Sequence, residues 1–254
     1  MPNRTGITIA GESNPGLVRR HNEDNFVIIA LPERSSILAV VADGVGGHSN
    51  GGMASLICCR DLADAYFNMP DEELSTPLQA EKFLRDGIRS INHKIFERNY
   101  FEELRRPMGS TILAVLFLRD SLVMAGAGDT RLYELPPEGT LRQLSVDHTL
   151  SAAWLREHGR NEEKHAVLRN VIMRAVGPRR ELVLDVRVFR KTAGARYLIC
   201  TDGAYRYNSD RQLREALRSA AVPRDAVSTV MRTALVRGGH DNITVVAAFA
   251  GGGE

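Results

Sequence analysis

The stretch from Leu38 to His48 constrains this chain more than any other. Leu38, Ala39, Val40, Val41 and Ala42 form an apolar run that is short for a helix and rich in β-branched residues, so it reads as a buried strand. The run stops at an acid, Asp43, and passes into Gly44, Val45, Gly46, Gly47 and His48. Asp43 therefore stands where a strand leaves the core, and glycines beside it let main-chain atoms approach a ligand closely. Asp-Gly is also a common hairpin turn, so one such stretch fixes no function. What matters is whether other strands aim carboxylates at the same place.

The device recurs. The apolar run 122–127 is followed by Gly128 and Asp129, and the run 197–200 by Thr201, Asp202 and Gly203. Gly238, Gly239, His240, Asp241 and Asn242 lead into the apolar run 243–246, and Glu23 and Asp24 precede a strand at 26–31. Each acid alone reads as a turn or cap residue. Several converging carboxylates repel one another unless some are protonated or a cation lies between them. With oxygen donors and no histidine pair at metal spacing, magnesium or manganese suits such a cluster better than zinc.

Composition narrows the rest. The 254 residues suffice for a sizeable core, and 43% apolar and 25% charged residues are ordinary for a globular protein. A formal net charge of +2 with no basic block gives no nucleic-acid footprint. No apolar run approaches the ~20 residues of a membrane helix, and the N-terminus lacks the apolar segment of a signal peptide. Of the three cysteines, Cys58 and Cys59 are adjacent and Cys200 lies in an apolar run. They read as buried thiols in a reducing, cytoplasmic setting, with no zinc spacing.

Along the chain the pattern predicts strands at 7–10, 26–31, 38–42, 110–118, 122–127, 130–135, 141–145, 181–189, 196–201 and 243–249. A turn is expected at 12–16, and helices at 51–67, 76–99, 148–159, 210–220 and 224–236. Leu84, Ile88, Ile91 and Ile95 fall on one face of the second helix, which marks it as packed on a sheet. Helices inserted in blocks between antiparallel strands, with no linker, predict an α+β layered fold in a single domain, 1–254.

Eight segments, in order, resemble the metal-dependent protein phosphatases of the PPM or 2C type, particularly the bacterial members. They are 18–24 (Val-Arg-Arg-His-Asn-Glu-Asp), 41–48, Gly109-Ser110-Thr111, 128–131, Asp147-His148-Thr149, 170–177, Thr201-Asp202-Gly203, and 241–244. Singly each is weak; together they cover essentially the whole chain. The resemblance implies a four-layer α-β-β-α sandwich of two mainly antiparallel sheets flanked by helices. It implies two Mn²⁺ or Mg²⁺ ions, with Asp43 bridging them, the Gly44 carbonyl and Glu23 on one, and Asp202 and Asp241 on the other. Asp129 matches the position of a third, weaker ion, and Asp24 and Asn242 stand behind the ligands. Arg19 binds the substrate phosphate, as a guanidinium fork suits phosphoryl oxygens. The implied reaction is hydrolysis of phosphoserine and phosphothreonine by a hydroxide bridging the metals. The implied partner is a phosphoprotein, with the chain opposing a serine/threonine kinase and acting as a monomer.

The chain also departs from the family pattern. Val45 stands where many eukaryotic members have a histidine that is a candidate general acid, which fits the bacterial pattern and leaves that proton unassigned. His48 and His148 read as structural residues. Asn14 replaces a common aspartate near the rim, Thr130 a serine, and Ala204-Tyr205 a leucine-containing wall. The charged segment 149–169 falls where bacterial members carry a flap beside the active site. Two other readings stay open at this stage: a pseudophosphatase that binds phosphoproteins without turnover, and a phosphatase for another phosphate ester. Retention of Arg19, Glu23, Asp43, Gly44, Asp202 and Asp241 weighs against the former.

Overall fold

The structure, a computed structural model, describes residues 5–45, 50–102, 107–158, 168 and 171–252. His48 and most of 159–170 lie outside the described residues, so the expectations placed on them are not addressed.

Eleven strands are described: β1 (Ile7–Asn14), β2 (Asp24–Ile29), β3 (Ile37–Val45), β4 (Gly109–Ser110), β5 (Ile112–Phe117), β6 (Ser121–Ala127), β7 (Arg131–Leu135), β8 (Arg142–Gln143), β9 (Asp185–Arg190), β10 (Arg196–Cys200) and β11 (Ile243–Ala250). They form two sheets, ordered β1-β11-β10-β7-β8 and β2-β3-β5-β6-β9, with β4 beside β3. Every described strand pair is antiparallel. The helices are α1 (Asn50–Asn68), α2 (Pro77–Phe101), α3 (Leu150–His158), α4 (Asp202–Tyr205), α5 (Asp210–Ser219) and α6 (Pro223–Val236). None among the described residues is long and apolar enough to cross a membrane.

Strand alternation sorts each apolar run between two layers. In β3, Leu38, Val40 and Ala42 pack against α1 and α2, whereas Ile37, Ala39 and Val41 meet the other sheet. Val245 and Ala247 likewise face α5 and α6, while Val246 and Ala248 face between the sheets. Burial on both faces is why these strands read as unbroken apolar runs. The result is the expected helix–sheet–sheet–helix stack.

Three local differences have physical causes. The turn expected at 12–16 begins later, because β1 pairs with β11 as far as Asn14↔Ile243. Its turn chemistry then operates over Asn14, Pro15 and Gly16: the Asn14 side chain accepts from the Gly16 N–H at 2.9 Å, and Gly16 has φ +79°. The strand expected from 181 starts at Asp185, since Leu182 and Leu184 pack into the helix-side core before pairing begins. Asp202 opens a helical turn that apolar periodicity does not announce.

Two buried asparagines on α2 tie the chain leading into β9 to this frame. Asn92 donates to the carbonyls of Arg179 and Arg180, both at 3.0 Å, and accepts from the Gly177 N–H at 2.8 Å. Asn99 donates to Met108 O and Gly177 O and accepts from Met108 N. Removing such a side chain strands buried backbone groups, so Asn92→Ala is expected to lower the unfolding free energy by about 2–3 kcal/mol. Urea denaturation checks this, and a loss below ~0.5 kcal/mol would mean the bracket bears no load.

Candidate active site

The antiparallel order collects acids at one end of the sandwich from both kinds of strand terminus. Asp24 opens β2, Asp241 precedes β11, Asp129 follows β6 and Asp202 follows β10. Asp43 lies near the end of β3 and pairs in register with Asp24. Both fall on the alternation that faces between the sheets. Arg19, Glu23, Asp43, Gly44, Asp129, Asp202, Asp241 and Asn242 all line one pocket of about 310 Å³, joined by Val45, Ile172 and Arg206. Among the residues expected at the site, Asp24 is the one set behind that wall.

Asp24 is 4% exposed. Its Oδ2 accepts from Thr201 Oγ1 at 2.9 Å and Thr244 Oγ1 at 2.7 Å, so one carboxylate ties β2 to β10 and β11 across the gap between the sheets. Its Oδ1 is buried with no hydrogen-bond partner among the described residues. Burial, offset by those two hydroxyls and reinforced by Asp202 and Asp241, pushes the Asp24 carboxyl up to about 7. Asp129, 3% exposed, is pushed up to about 6 by burial and by Asp202 and Asp147, against the pull of Arg206. Asp43 is raised well above the usual range by burial and by Asp24, Asp202, Asp129 and Asp241. Asp202 is raised by burial, with Arg206 opposing.

Gly44 and Gly51 are glycines for the same reason. A Cβ on Gly44 would collide with the backbone of Gly51 and stand 2.8 Å from Glu23 O. A Cβ on Gly51 would stand 3.0 Å from Gly44 O and 3.1 Å from Glu23 Oε1. Close packing of α1 on β3 therefore requires both glycines, and it leaves a small space edged by those two oxygens. The Asp43 backbone is locked by Thr111, whose Oγ1 accepts from Asp43 N at 2.9 Å and whose N–H donates to Asp43 O at 2.8 Å. Asn242 acts as a bracket: it accepts from Glu23 N at 2.9 Å and donates to Pro15 O and His21 O at 2.9 Å each.

Two cations answer part of the negative charge. Arg19 grips Asp241 with Nε and Nη2, at 2.9 and 3.0 Å. Arg206 lies 2.9 Å from Asp202 and 3.9 Å from Asp129. Among the described residues no three Asp, Glu, His or Cys side chains already close around one point. The donor chemistry nevertheless fits a hard divalent cation. The side chains are carboxylates, a backbone carbonyl stands beside Glu23, and Asp24 offers a buried oxygen without a partner.

Sequence reasoning did not assign Arg206, Tyr205 or Thr244. Arg206 is four residues from Asp202, a salt-bridge spacing legible only once α4 is known. Tyr205 OH donates to Asp129 at 3.3 Å, beneath Arg131 at 3.7 Å from its ring. His148 is buried and exchanges backbone hydrogen bonds with Gly128 and Met173, the structural part expected of it. The three cysteines are buried, and burial pushes Cys58 and Cys200 up to about 12, which leaves them poor nucleophiles.

A two-sheet sandwich with a guanidinium and clustered carboxylates in one terminal pocket is the arrangement that the comparisons with known proteins can place. The chain belongs to the protein phosphatase 2C family, whose model matches residues 18–238. It is 31% identical over 233 residues to the serine/threonine phosphatase stp of Listeria monocytogenes, covering 91% of each chain. It is 36% identical over 246 residues to the serine/threonine protein phosphatase PstP of Mycobacterium tuberculosis, covering 95% of this chain and 45% of that one. The crystal structure of the PstP catalytic domain in complex with two manganese ions is similar with a TM-score of 0.80 and 33% identity, over 96% of this chain and 97% of that one.

A raised carboxyl makes stability pH-dependent. Asp24 binds its proton more tightly folded than unfolded, so its neutral form favours the fold at low pH and that advantage is lost as pH rises through about 7. In chelator-treated protein, the Tm of the wild type is expected to fall relative to Asp24→Asn between pH 5 and 8. A gap that stays constant would show that Asp24 ionises as an ordinary carboxylate.

Proposed function

We propose that this chain hydrolyses phosphoserine and phosphothreonine in proteins, as one phosphatase domain over 1–254, with manganese or magnesium as its metal. One observation carries the reading: five separate segments bring Glu23, Asp43, Asp129, Asp202 and Asp241 into one pocket with Arg19. The names of the Listeria and mycobacterial relatives support phosphoprotein as the substrate class. Retention of every expected ligand position argues for turnover over a pseudophosphatase.

Glu23, Asp43, the Gly44 carbonyl, Asp202 and Asp241 would hold two divalent ions, with Asp129 a weaker further contact. Such ions, when bound, acidify water and draw charge from phosphoryl oxygens. The chain's own groups do the rest. Arg19 presents a planar fork that binds two phosphoryl oxygens and keeps its charge at any working pH. In the structure that fork is closed on Asp241, which it would release to take a phosphate, and Asn242 fixes the backbone of Glu23. Val45 presents no proton to the leaving hydroxyl, which leaves the donor of that proton unassigned. The buried thiols take no part, and no covalent phosphoenzyme is required. We read 149–169, which α3 begins, as a flap that selects substrates; Ile172, just beyond it, lines the pocket.

We assign the chain to the cytoplasm as a monomer opposing a serine/threonine kinase. The names of the relatives as serine/threonine phosphatases support the opposing kinase.

A panel of phosphopeptides with added Mn²⁺ or with chelator tests the proposal. Phosphoserine and phosphothreonine peptides are expected to turn over with Mn²⁺ and not with chelator. Asp43→Asn is expected to lose at least about 10²-fold in kcat/KM. Full turnover in chelator would contradict the metal assignment, and no turnover with metal would favour the pseudophosphatase.

A further inference from the structure

The carboxylate pocket continues past its own rim. Ile172 belongs to its wall and also to the wall of a second hollow of about 380 Å³ lined by residues between 172 and 183. Glu181, Leu182 and Val183 are shared in turn with a third hollow of about 500 Å³, bounded by Arg85 and Arg89 of α2. Shared wall residues set the three hollows side by side, from the acids to the flank of α2, and the second and third together make one groove beside the acid pocket.

That groove is basic. Arg89, Arg174, Arg179 and Arg180 are exposed, and none has a carboxylate at ion-pair distance among the described residues. Arg85 is held by Glu81 at 2.5 Å, and Glu181 is the single acid among the described wall residues. Between the charges, Met173 is 48% and Val183 62% exposed. Solvent-facing guanidiniums are common, but here their backbone is fixed. Asn92 holds the carbonyls of Arg179 and Arg180. Val176 exchanges two hydrogen bonds with Ser110, at 2.8 and 3.1 Å, and Ser110 Oγ donates to Asp43 O at 3.0 Å. The arginine-bearing segment is thus tied through β4 to the strand that carries Asp43. A preformed platform binds with little ordering cost.

We propose that this groove receives an acidic stretch of the substrate protein lying to one side of the phosphorylated residue. The inference rests on the phosphatase reading above and deepens it, by naming the charge of the preferred substrate. The phosphate occupies the pocket beside Arg19, and neighbouring acidic side chains meet Arg174, Arg179, Arg180 and Arg89. Apolar residues between those acids lie on Met173 and Val183.

The test uses the full chain with Mn²⁺ and three substrates: p-nitrophenyl phosphate, a phosphothreonine peptide with three glutamates on one side, and the same peptide with glutamines. Both flanking orientations are made. In one orientation the glutamate peptide is expected to show a kcat/KM about tenfold above the glutamine peptide, mainly through KM, with the preference shrinking in high salt. In the variant R179E/R180E that glutamate-to-glutamine ratio is expected to fall to one or below. The ratio is measured within each variant, so a general change in activity does not disturb it. Equal rates for both peptides in the wild type, or a preference that survives the charge reversal, would overturn the docking proposal while leaving the phosphatase reading intact. Absence of turnover on all three substrates would overturn both.

Discussion

The concentration of like charge at one end of an apolar sandwich is the constraint on which the rest depends. Glu23, Asp24, Asp43, Asp129, Asp202 and Asp241 gather there against the two guanidiniums of Arg19 and Arg206. Two unit charges 4 Å apart interact by about 4 kcal/mol at an effective dielectric near 20, so an excess of carboxylates works against the fold that assembles it. The structure meets that cost in three ways. Asp241 and Asp202 are paired with arginines. Asp24 takes two hydroxyl hydrogen bonds, and Asp24, Asp43, Asp129 and Asp202 are all shifted toward their neutral forms. Such strain belongs to sites kept for chemistry, where stability is given up for function.

Register is what places the charge. Asp43 follows Ile37, Ala39 and Val41 on the face between the sheets, and Asp24 is its partner across the β2–β3 ladder. A slip of one residue would turn Asp43 toward α1 and α2 and dissolve the cluster. The double-sided burial of β3 prevents that slip, because Leu38, Val40 and Ala42 must occupy the helix side. The core therefore does more than stabilise: it aims the acids.

Much of this was legible in the sequence, and the remainder was hidden for definite reasons. The apolar runs of β3, β5, β6, β10 and β11 are long and doubly buried, so strand identity and the acids beyond them could be read directly. Convergence could not, since Glu23 and Asn242, or Asp24 and Thr201, meet only through tertiary structure; the ordered family segments supplied that link. From the sequence Gly44 reads as allowing close backbone approach, and the atoms that forbid a side chain there belong to Gly51 and Glu23. Arg206 escaped notice because its partnership with Asp202 depends on a four-residue helix with no apolar period. The arginines at 174, 179 and 180 form no basic block in the sequence, and their common wall depends on Asn92 and Asn99 of α2, 87 and 78 residues from the backbone they hold. Chemistry here sits at strand ends and selectivity on the segments beyond them, the usual division between a rigid scaffold and its loops.

We propose that the carboxylates at the sandwich end hold divalent ions. Crystals grown with Mn²⁺ and measured at the manganese absorption edge test it most directly. Anomalous peaks are expected on both sides of Asp43, one toward Glu23 and the Gly44 carbonyl and one toward Asp202 and Asp241. A pocket with no anomalous peak at saturating Mn²⁺, with Arg19 still on Asp241 and Arg206 still on Asp202, would contradict it.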